Sequence, residues 1–218
     1  MRQNHTRIAI IRDRSGSMAS IHHATTEALN EYIKGQQAAP GTADVLLVAF
    51  DGEYEVVYDK PLDEIRPMSD MDLLPRGSTA LHDALGLTIN SVGKKLADTP
   101  EDQRPDKVVI VTLSDGKNNS SQKFTAETVG QMIEHQRTVY KWEFIFLGTN
   151  QDAVLTAASL NIPQTAALSY SATSSGVRSA MRSANAYTVG VRSGQTPSFT
   201  SVDRESAKES GATGAAGA

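Results

Sequence analysis

The chain of 218 residues contains no cysteine. That absence removes disulfides, thiolate metal ligands and cysteine nucleophiles together. It also lacks any apolar run near the roughly 18 residues needed to cross a bilayer, so no membrane span is expected. There is no excess of positive charge: the formal net charge is -4. Nucleic acid is therefore set aside as a partner, and Lys94, Lys95 and Lys117 are too sparse to form a phosphate-binding track. The N-terminal residues, Met1 to Thr6, lead straight into strand-like sequence without a signal-peptide pattern. A cytoplasmic location is the expectation. Hydrophobic residues make up 39% of the chain, a low share whose deficit lies near the C-terminus. The length fits one α/β domain with a tail, long enough to bury a real core.

What is present is an alternation of apolar runs and amphipathic segments. Residues 7–12 read as a first strand, followed by a helix over 19–37 with Ile21, Ala24, Ala28, Leu29, Tyr32 and Ile33 at helical spacing. The run from Val45 to Phe50 reads as a strand buried on both faces. Asp51-Gly52 then predicts a hairpin into an antiparallel strand over 53–58, whose charges suit a sheet edge. A proline-rich loop over 59–79 leads to a helix with Leu81, Leu85, Ile89, Val92 and Leu96 on one face. A buried strand over 107–113, a helix from Thr125 to about Tyr140 and a strand over 143–148 follow. Asn150 is expected to cap a short helix, residues 165–170 to form a weaker strand, and Thr173 or Ser174 to cap a last helix. The domain is expected to occupy 1–191 and a flexible Ser/Gly/Ala-rich tail 192–218, with a short helical turn starting at Phe199-Thr200-Ser201. Such an alternation implies a doubly wound, Rossmann-like α/β fold: a mostly parallel sheet with one antiparallel edge and helices on both faces. Ligands of such sheets sit beyond the carboxyl ends of the strands, where strand order reverses.

Three loops at that end carry oxygen-bearing side chains. Asp13, Ser15 and Ser17 alternate at the end of the first strand, so an extended backbone aims them to one side. Thr79 opens a helix just after a glycine, and Asp115 directly follows the strand over 107–113. Together they offer two carboxylates and three hydroxyls, all hard oxygen donors suited to Mg²⁺, Mn²⁺ or Ca²⁺. Two carboxylates balance a divalent charge, while neutral hydroxyls leave the cation room for a further anionic ligand. The plainer reading of Asp13 to Ser17 is a polar turn capping the next helix.

The pattern Asp13-Arg14-Ser15-Gly16-Ser17, then Gly77-Ser78-Thr79, then Ser114-Asp115-Gly116 resembles the von Willebrand factor A domain and its metal-ion-dependent adhesion site. More narrowly, residues 7 to about 190 resemble small stand-alone A-domain proteins of bacteria and their phages, on Asp51-Gly52-Glu53-Tyr54-Glu55, Met132 to Gln136 and Trp142 to Gly148. The resemblance implies a six-stranded sheet of order 3-2-1-4-5-6. It implies that Ser15, Ser17 and Thr79 supply hydroxyl oxygens and that Asp13 and Asp115 bind directly or through water. It implies a protein partner whose Asp or Glu completes the cation's shell. Arg12 departs from the family, which usually has an apolar residue there. Its guanidinium would either pair with Asp13 and compete with the cation, or tuck under the site and bind another carboxylate.

Around this constellation, Arg14, Ser78, His82 and Asn118 are candidate rim or partner contacts, and Arg14 reads equally as a surface arginine. His22 and His23 are adjacent, diverge on a helix, and read as solvated. No His is tied to a Ser or Asp by a catalytic motif, so the expected function is a non-enzymatic, metal-dependent binding module. The alternatives are an assembly protein of the same fold with no working metal, and an Mg²⁺-dependent phosphohydrolase. The latter needs a second carboxylate two residues after the nucleophilic one, where this chain has Ser15.

Overall fold

The computed structural model describes residues 1–115, 118–149 and 152–208. Six strands form one sheet of order β3-β2-β1-β4-β5-β6. They are β1 (Arg2–Asp13), β2 (Thr42–Phe50), β3 (Tyr54–Pro61), β4 (Pro105–Ser114), β5 (Glu143–Thr149) and β6 (Ala167–Tyr170). All neighbours are parallel except β2 and β3, which pair antiparallel across the Asp51-Gly52 turn. The expected architecture is therefore the observed one. β1 is longer than its apolar run suggests. Backbone pairing with β2 and β4 extends it outward to Arg2, with a break in register between Arg2 and Thr6.

The helices are α1 (His22–Ala38), α2 (Leu81–Asp98), α3 (Ala126–Tyr140), α4 (Asp152–Ser159), α5 (Ser174–Arg192) and α6 (Ser201–Lys208). α1 packs on α5 over one face of the sheet, and α2 and α3 pack together over the other. Ile8, Ile10 and Ile11 of β1 and Val109, Ile110 and Val111 of β4 are buried between these layers. Each such side chain contributes about 1.5–3 kcal/mol by leaving water. Both faces of the central strands are covered, which is why they read as continuous apolar runs rather than as alternation. A polar seam sets α1 against α5: Tyr32 Oη donates to Thr188 Oγ1 at 2.9 Å, and Arg192 Nη1 donates to the Gln36 carbonyl at 2.6 Å.

The segment that composition assigns to the start of a tail is not loose. Residues 199–208 pack along the β6 edge and on α5. Phe199 is buried against the Tyr187 ring, and Ala207 is fully buried. The Ser171 N–H donates to the Ala207 carbonyl at 2.9 Å, and Arg204 donates to the carbonyls of Ala167 and Gln164. Asp203 caps α6 by accepting from the Thr200 N–H and hydroxyl, and it also accepts from Ser183 of α5. The helix thus covers an edge that would otherwise expose unpaired strand backbone. The helical turn expected from Phe199 to Ser201 is the start of this element, and the small polar residues that follow carry too little apolar pattern to announce the rest. Residues 209–218 and the Asn150 cap lie outside the described residues. Phe199→Ala is expected to lower unfolding stability by about 3 kcal/mol through the cavity it leaves, read by urea denaturation. An unchanged midpoint would mean α6 contributes nothing to the domain.

Candidate metal centre

β1 is the switch strand: β2 leaves on one side and β4 on the other. The crevice beyond its carboxyl end collects three loops. Asp13, the last residue of β1, is completely buried. One carboxylate oxygen accepts the Ser15 N–H at 2.7 Å, and the other accepts the Ser114 hydroxyl at 2.6 Å from the end of β4. After Ser15 the chain enters a 3₁₀ turn over Gly16–Ile21, which keeps Ser17 over the strand end. Ser15 Oγ and Ser17 Oγ share a hydrogen bond of 3.0 Å. Ser17 Oγ donates to Asp115 Oδ1 at 2.8 Å. Four of the five expected ligands are therefore joined in one hydrogen-bonded chain that spans β1 and β4. The Asp115 carbonyl is held from β5 by the Thr149 hydroxyl at 2.6 Å.

Thr79 reaches the crevice on the loop before α2. That loop is tied down on both sides. The Gly16 N–H donates to the Gly77 carbonyl, and the Ala80 N–H donates to the Asp51 carbonyl at 2.8 Å. Gly77 turns the loop at φ +69°, a conformation that disfavours a side chain. Thr79 itself is buried, and among the described residues none forms a hydrogen bond with its hydroxyl. The other side is secured by Asn119, whose Oδ1 accepts the Thr79 N–H at 2.8 Å while its N–H donates to the Thr79 carbonyl at 2.9 Å. Asn119 thus pairs with Thr79 as a strand would, and couples the loops that carry Thr79 and Asp115. Its role follows from a contact between residues 40 positions apart, which a polar run such as Asn118 to Ser121 does not announce. Asn119→Ala removes one backbone partner at about 1 kcal/mol. It is expected to weaken Mg²⁺ binding more than it lowers melting temperature, compared by calorimetric titration and thermal melts.

The candidate rim residues part company here. Arg14 is not a rim contact. Its side chain is buried, with Nη1 2.7 Å from Glu55 and Nε 3.3 Å from Asp51. The strand that ends at Asp13 continues beside the β2–β3 hairpin, so the side chain following Asp13 turns into the acidic hairpin instead of toward solvent. Asp51 also binds Arg76 at 2.7 Å, and Arg76 reaches Glu53 at 3.0 Å. Asn118 faces the start of α2, where its Oδ1 accepts from Ser121 and, at 3.4 Å, from the His82 N–H. Ser78 lies against the Gly52 turn. His82 is half-buried, and burial lowers its pKa against the pull of Asp83.

Arg12 does not pair with Asp13. Alternation along β1 sends the two side chains to opposite sides. The Arg12 guanidinium passes under α1, where Nη2 lies 3.0 Å from His22 Nδ1 and 3.4 Å from Thr26 Oγ1. It therefore tucks beneath the site, hydrogen-bonded to an imidazole and a hydroxyl and within the field of a second carboxylate, Asp70. Burial is the main influence on it and lowers its pKa to about 10, which leaves it charged at neutral pH. His22 is correspondingly no solvated residue: Nε2 lies 2.8 Å from the Asp70 carbonyl.

The donor set fits a hard divalent cation. Burial pushes the Asp13 carboxyl pKa upward, against its hydrogen bonds from Ser114 and Ser15. Burial does the same to Asp115, opposed by the Ser17 hydrogen bond and reinforced by the charge of Asp13. Burial thus disfavours the charge on both carboxylates, a cost that a cation held between them would offset. Among the described residues no cluster of three or more His, Asp or Glu side chains forms a metal site. The other polar side chains at the crevice are hydroxyls, so the donor set is all oxygen, the kind suited to Mg²⁺, Mn²⁺ or Ca²⁺.

A sheet of order β3-β2-β1-β4-β5-β6 with one antiparallel edge, helices on both faces and this crevice at the β1 switch point is the von Willebrand factor A fold. The chain is similar over 85% of its length to a von Willebrand factor type A protein from Catenulispora acidiphila, at 18% identity and a TM-score of 0.59, covering 43% of that chain. It is similar over 87% of its length to proximal thread matrix protein 1 from the mussel byssus, at 13% identity and a TM-score of 0.59, covering 48% of that chain. One structure of that mussel protein has a zinc-occupied metal-ion-dependent adhesion site motif. The PilB minor pilin from Streptococcus sanguinis matches over 86% of this chain and 62% of its own, at 12% identity and a TM-score of 0.57. The chain thus spans under half the length of the first two. No protein-family model matches the chain, and no curated protein matches it in sequence. Among the described residues no helix is long and apolar enough to cross a membrane.

Proposed function

We propose that the protein is a metal-ion-dependent protein-binding module, used for adhesion or assembly and not for catalysis. Asp13, Ser15, Ser17, Thr79 and Asp115 would hold the divalent cation, Mg²⁺ or otherwise Mn²⁺ or Ca²⁺. When bound, the cation supplies an electrophilic point that an acidic side chain of a partner protein completes. The observation that carries this reading is the hydrogen-bonded chain Ser15–Ser17–Asp115, which brings β1 and β4 side chains to one point beside buried Asp13. This chain's residues do the positioning: Ser114 and the Ser15 N–H orient Asp13, Thr149 holds the backbone of Asp115, and Asn119 holds Thr79. The zinc-occupied motif in the mussel protein supports divalent binding at this place in the fold. The cytoplasmic location, and a bacterial or phage source, rest on the sequence resemblance alone.

The same hydrogen bonds favour one alternative. They close the crevice without help, as an assembly protein of this fold with no working metal would require. Titration with Mg²⁺ and Mn²⁺ separates the two. The module binds the cation and melts higher with it. No heat of binding and no shift in melting temperature would leave the assembly reading standing. A hydrolase reading gains nothing here, since position 15 is a serine engaged with Ser17.

A further inference from the structure

Beside the Thr79 loop lies a cleft of about 510 Å³ that the metal site does not use. Its apolar lining is Phe50, Ala80, Ala84 and Leu87, from the end of β2 and the first turns of α2. Its polar lining comes from Glu53 and Tyr54 of the hairpin, Asp83 of α2, and Ser120, Gln122 and Lys123 in the loop before α3. The cleft borders the Thr79 loop: Ala80 lines it, and the N–H of Ser120, which also lines it, donates to the Thr79 carbonyl at 3.2 Å.

The acidic groups at the cleft are already engaged. Asp83 accepts three backbone N–H groups, from Gln122, Lys123 and Phe124, each at 2.9 Å. Glu53 is paired with Arg76 at 3.0 Å. Lys123 is exposed, and among the described residues no carboxylate pairs with its ammonium. The Ser120 hydroxyl is buried and has no hydrogen-bond partner among the described residues. A small apolar floor, an orphan hydroxyl and a free cation together suit a segment with an apolar side chain and an acceptor or carboxylate beside it. A purely apolar occupant would leave Ser120 and Lys123 unanswered, and a basic one would meet Lys123.

We propose that this cleft is the specificity subsite of the metal face: it takes an acidic peptide segment of the partner, whose apolar side chain seats on Leu87 and Ala84 while a neighbouring carboxylate completes the cation. The proposal rests on the metal-dependent binding reading, and the two can fail separately. Selectivity for a partner then comes from the cleft, since any exposed carboxylate can satisfy a cation.

The test is selection of random displayed peptides on the full chain with Mg²⁺, followed by affinity measurement of a synthetic selected peptide. Selected sequences are expected to pair an acidic residue with a nearby apolar one. Leu87→Asp, and separately the exposed Lys123→Glu, are expected to weaken the peptide about tenfold or more, with Mg²⁺ affinity and melting temperature unchanged. Replacing the apolar residue of the peptide by serine should do the same to wild type. Peptides that bind the two cleft variants as well as wild type, or no enrichment over those variants, overturn the subsite while leaving the metal reading intact. Peptides lost from the cleft variants but retained by Asp13→Ala and in EDTA overturn the metal reading, and with it the coupling claimed here.

Discussion

If the proposed site holds Mg²⁺, the cation is expected to raise the wild-type melting temperature and Asp13→Asn to abolish that rise, while the metal-free variant is as stable as wild type or more so. At a hundredfold excess over its dissociation constant a ligand stabilises by about 2.7 kcal/mol, or roughly 5–10 °C for a domain of this size. That shift is what the variant loses. The amide keeps a carbonyl for the Ser15 N–H and a donor for Ser114, so the crevice keeps its shape. The sign of the metal-free effect follows from linkage. Burial raises the pKa of Asp13, and that of Asp115, on folding. A carboxyl raised in this way contributes stability that is full below its unfolded value, near 4, and that is lost as pH rises through the higher folded value. At neutral pH the metal-free site is thus a liability that the cation removes and that the amide avoids. The advantage of Asp13→Asn without metal should shrink as pH falls from neutral toward the unfolded value. Scanning calorimetry with and without Mg²⁺ across that range reads both effects. A variant that still responds to Mg²⁺ would remove Asp13 from the ligand set. A metal-free variant clearly less stable than wild type at neutral pH would refute the electrostatic account.

The second large effect is expected at Asp51→Ala, at about 3 kcal/mol of stability together with weaker Mg²⁺ binding. Asp51 sits at the end of β2 with its side chain only 4% exposed. It stands between Arg14, itself 6% exposed, and Arg76, and it also accepts the Glu53 N–H at 2.7 Å. Burial by itself would raise its pKa. Arg76, the Glu53 N–H and the charge of Arg14 outweigh that and hold it below the usual carboxylate range. Removal leaves Arg14 buried with Glu55 alone, a partner that is half in solvent. Breaking one partner out of a buried pair is costly because the other keeps its desolvation penalty. The same cluster anchors the ligand loops: the Arg76 N–H donates to the Arg14 carbonyl at 2.7 Å. Chemical denaturation and Mg²⁺ titration of the variant should both respond. Loss of stability with unchanged metal affinity would show that the cluster braces the hairpin and not the site. Unchanged stability would show that Arg14 is satisfied by Glu55.

The gathering of Asp13, Ser15, Ser17 and Asp115 at the strand ends, and the hairpin, were legible in the chain because their signals are local. Asp13, Ser15 and Ser17 share a strand end, Asp115 follows a buried apolar run, and Asp51-Gly52 announces the hairpin. Arg14 was misleading for the same reason. A residue between alternating ligands looks outward if the strand simply ends. It turns inward because the β2–β3 hairpin places Asp51 and Glu55 beside it. Of the two readings open for Arg12, the structure has the one that tucks under the site, with contacts to His22 and Thr26 on the helix that packs beneath.

By itself, then, the amino-acid sequence determined the α/β alternation, the buried central strands, the antiparallel edge and the oxygen character of the residues at the strand ends. Hydrophobic period and turn chemistry are properties of short stretches, and they survive without a partner in space. The tertiary structure alone decided which polar residues bear on the crevice. It gave Asn119 its hold on Thr79, turned Arg14 into an internal brace, carried Arg12 under α1 and laid α6 along β6. Those outcomes depend on which surfaces meet when the sheet is wound. The bonds from Asn119 to Thr79 and from Arg204 to Ala167 join residues 40 and 37 positions apart, and no short window along the chain contains them.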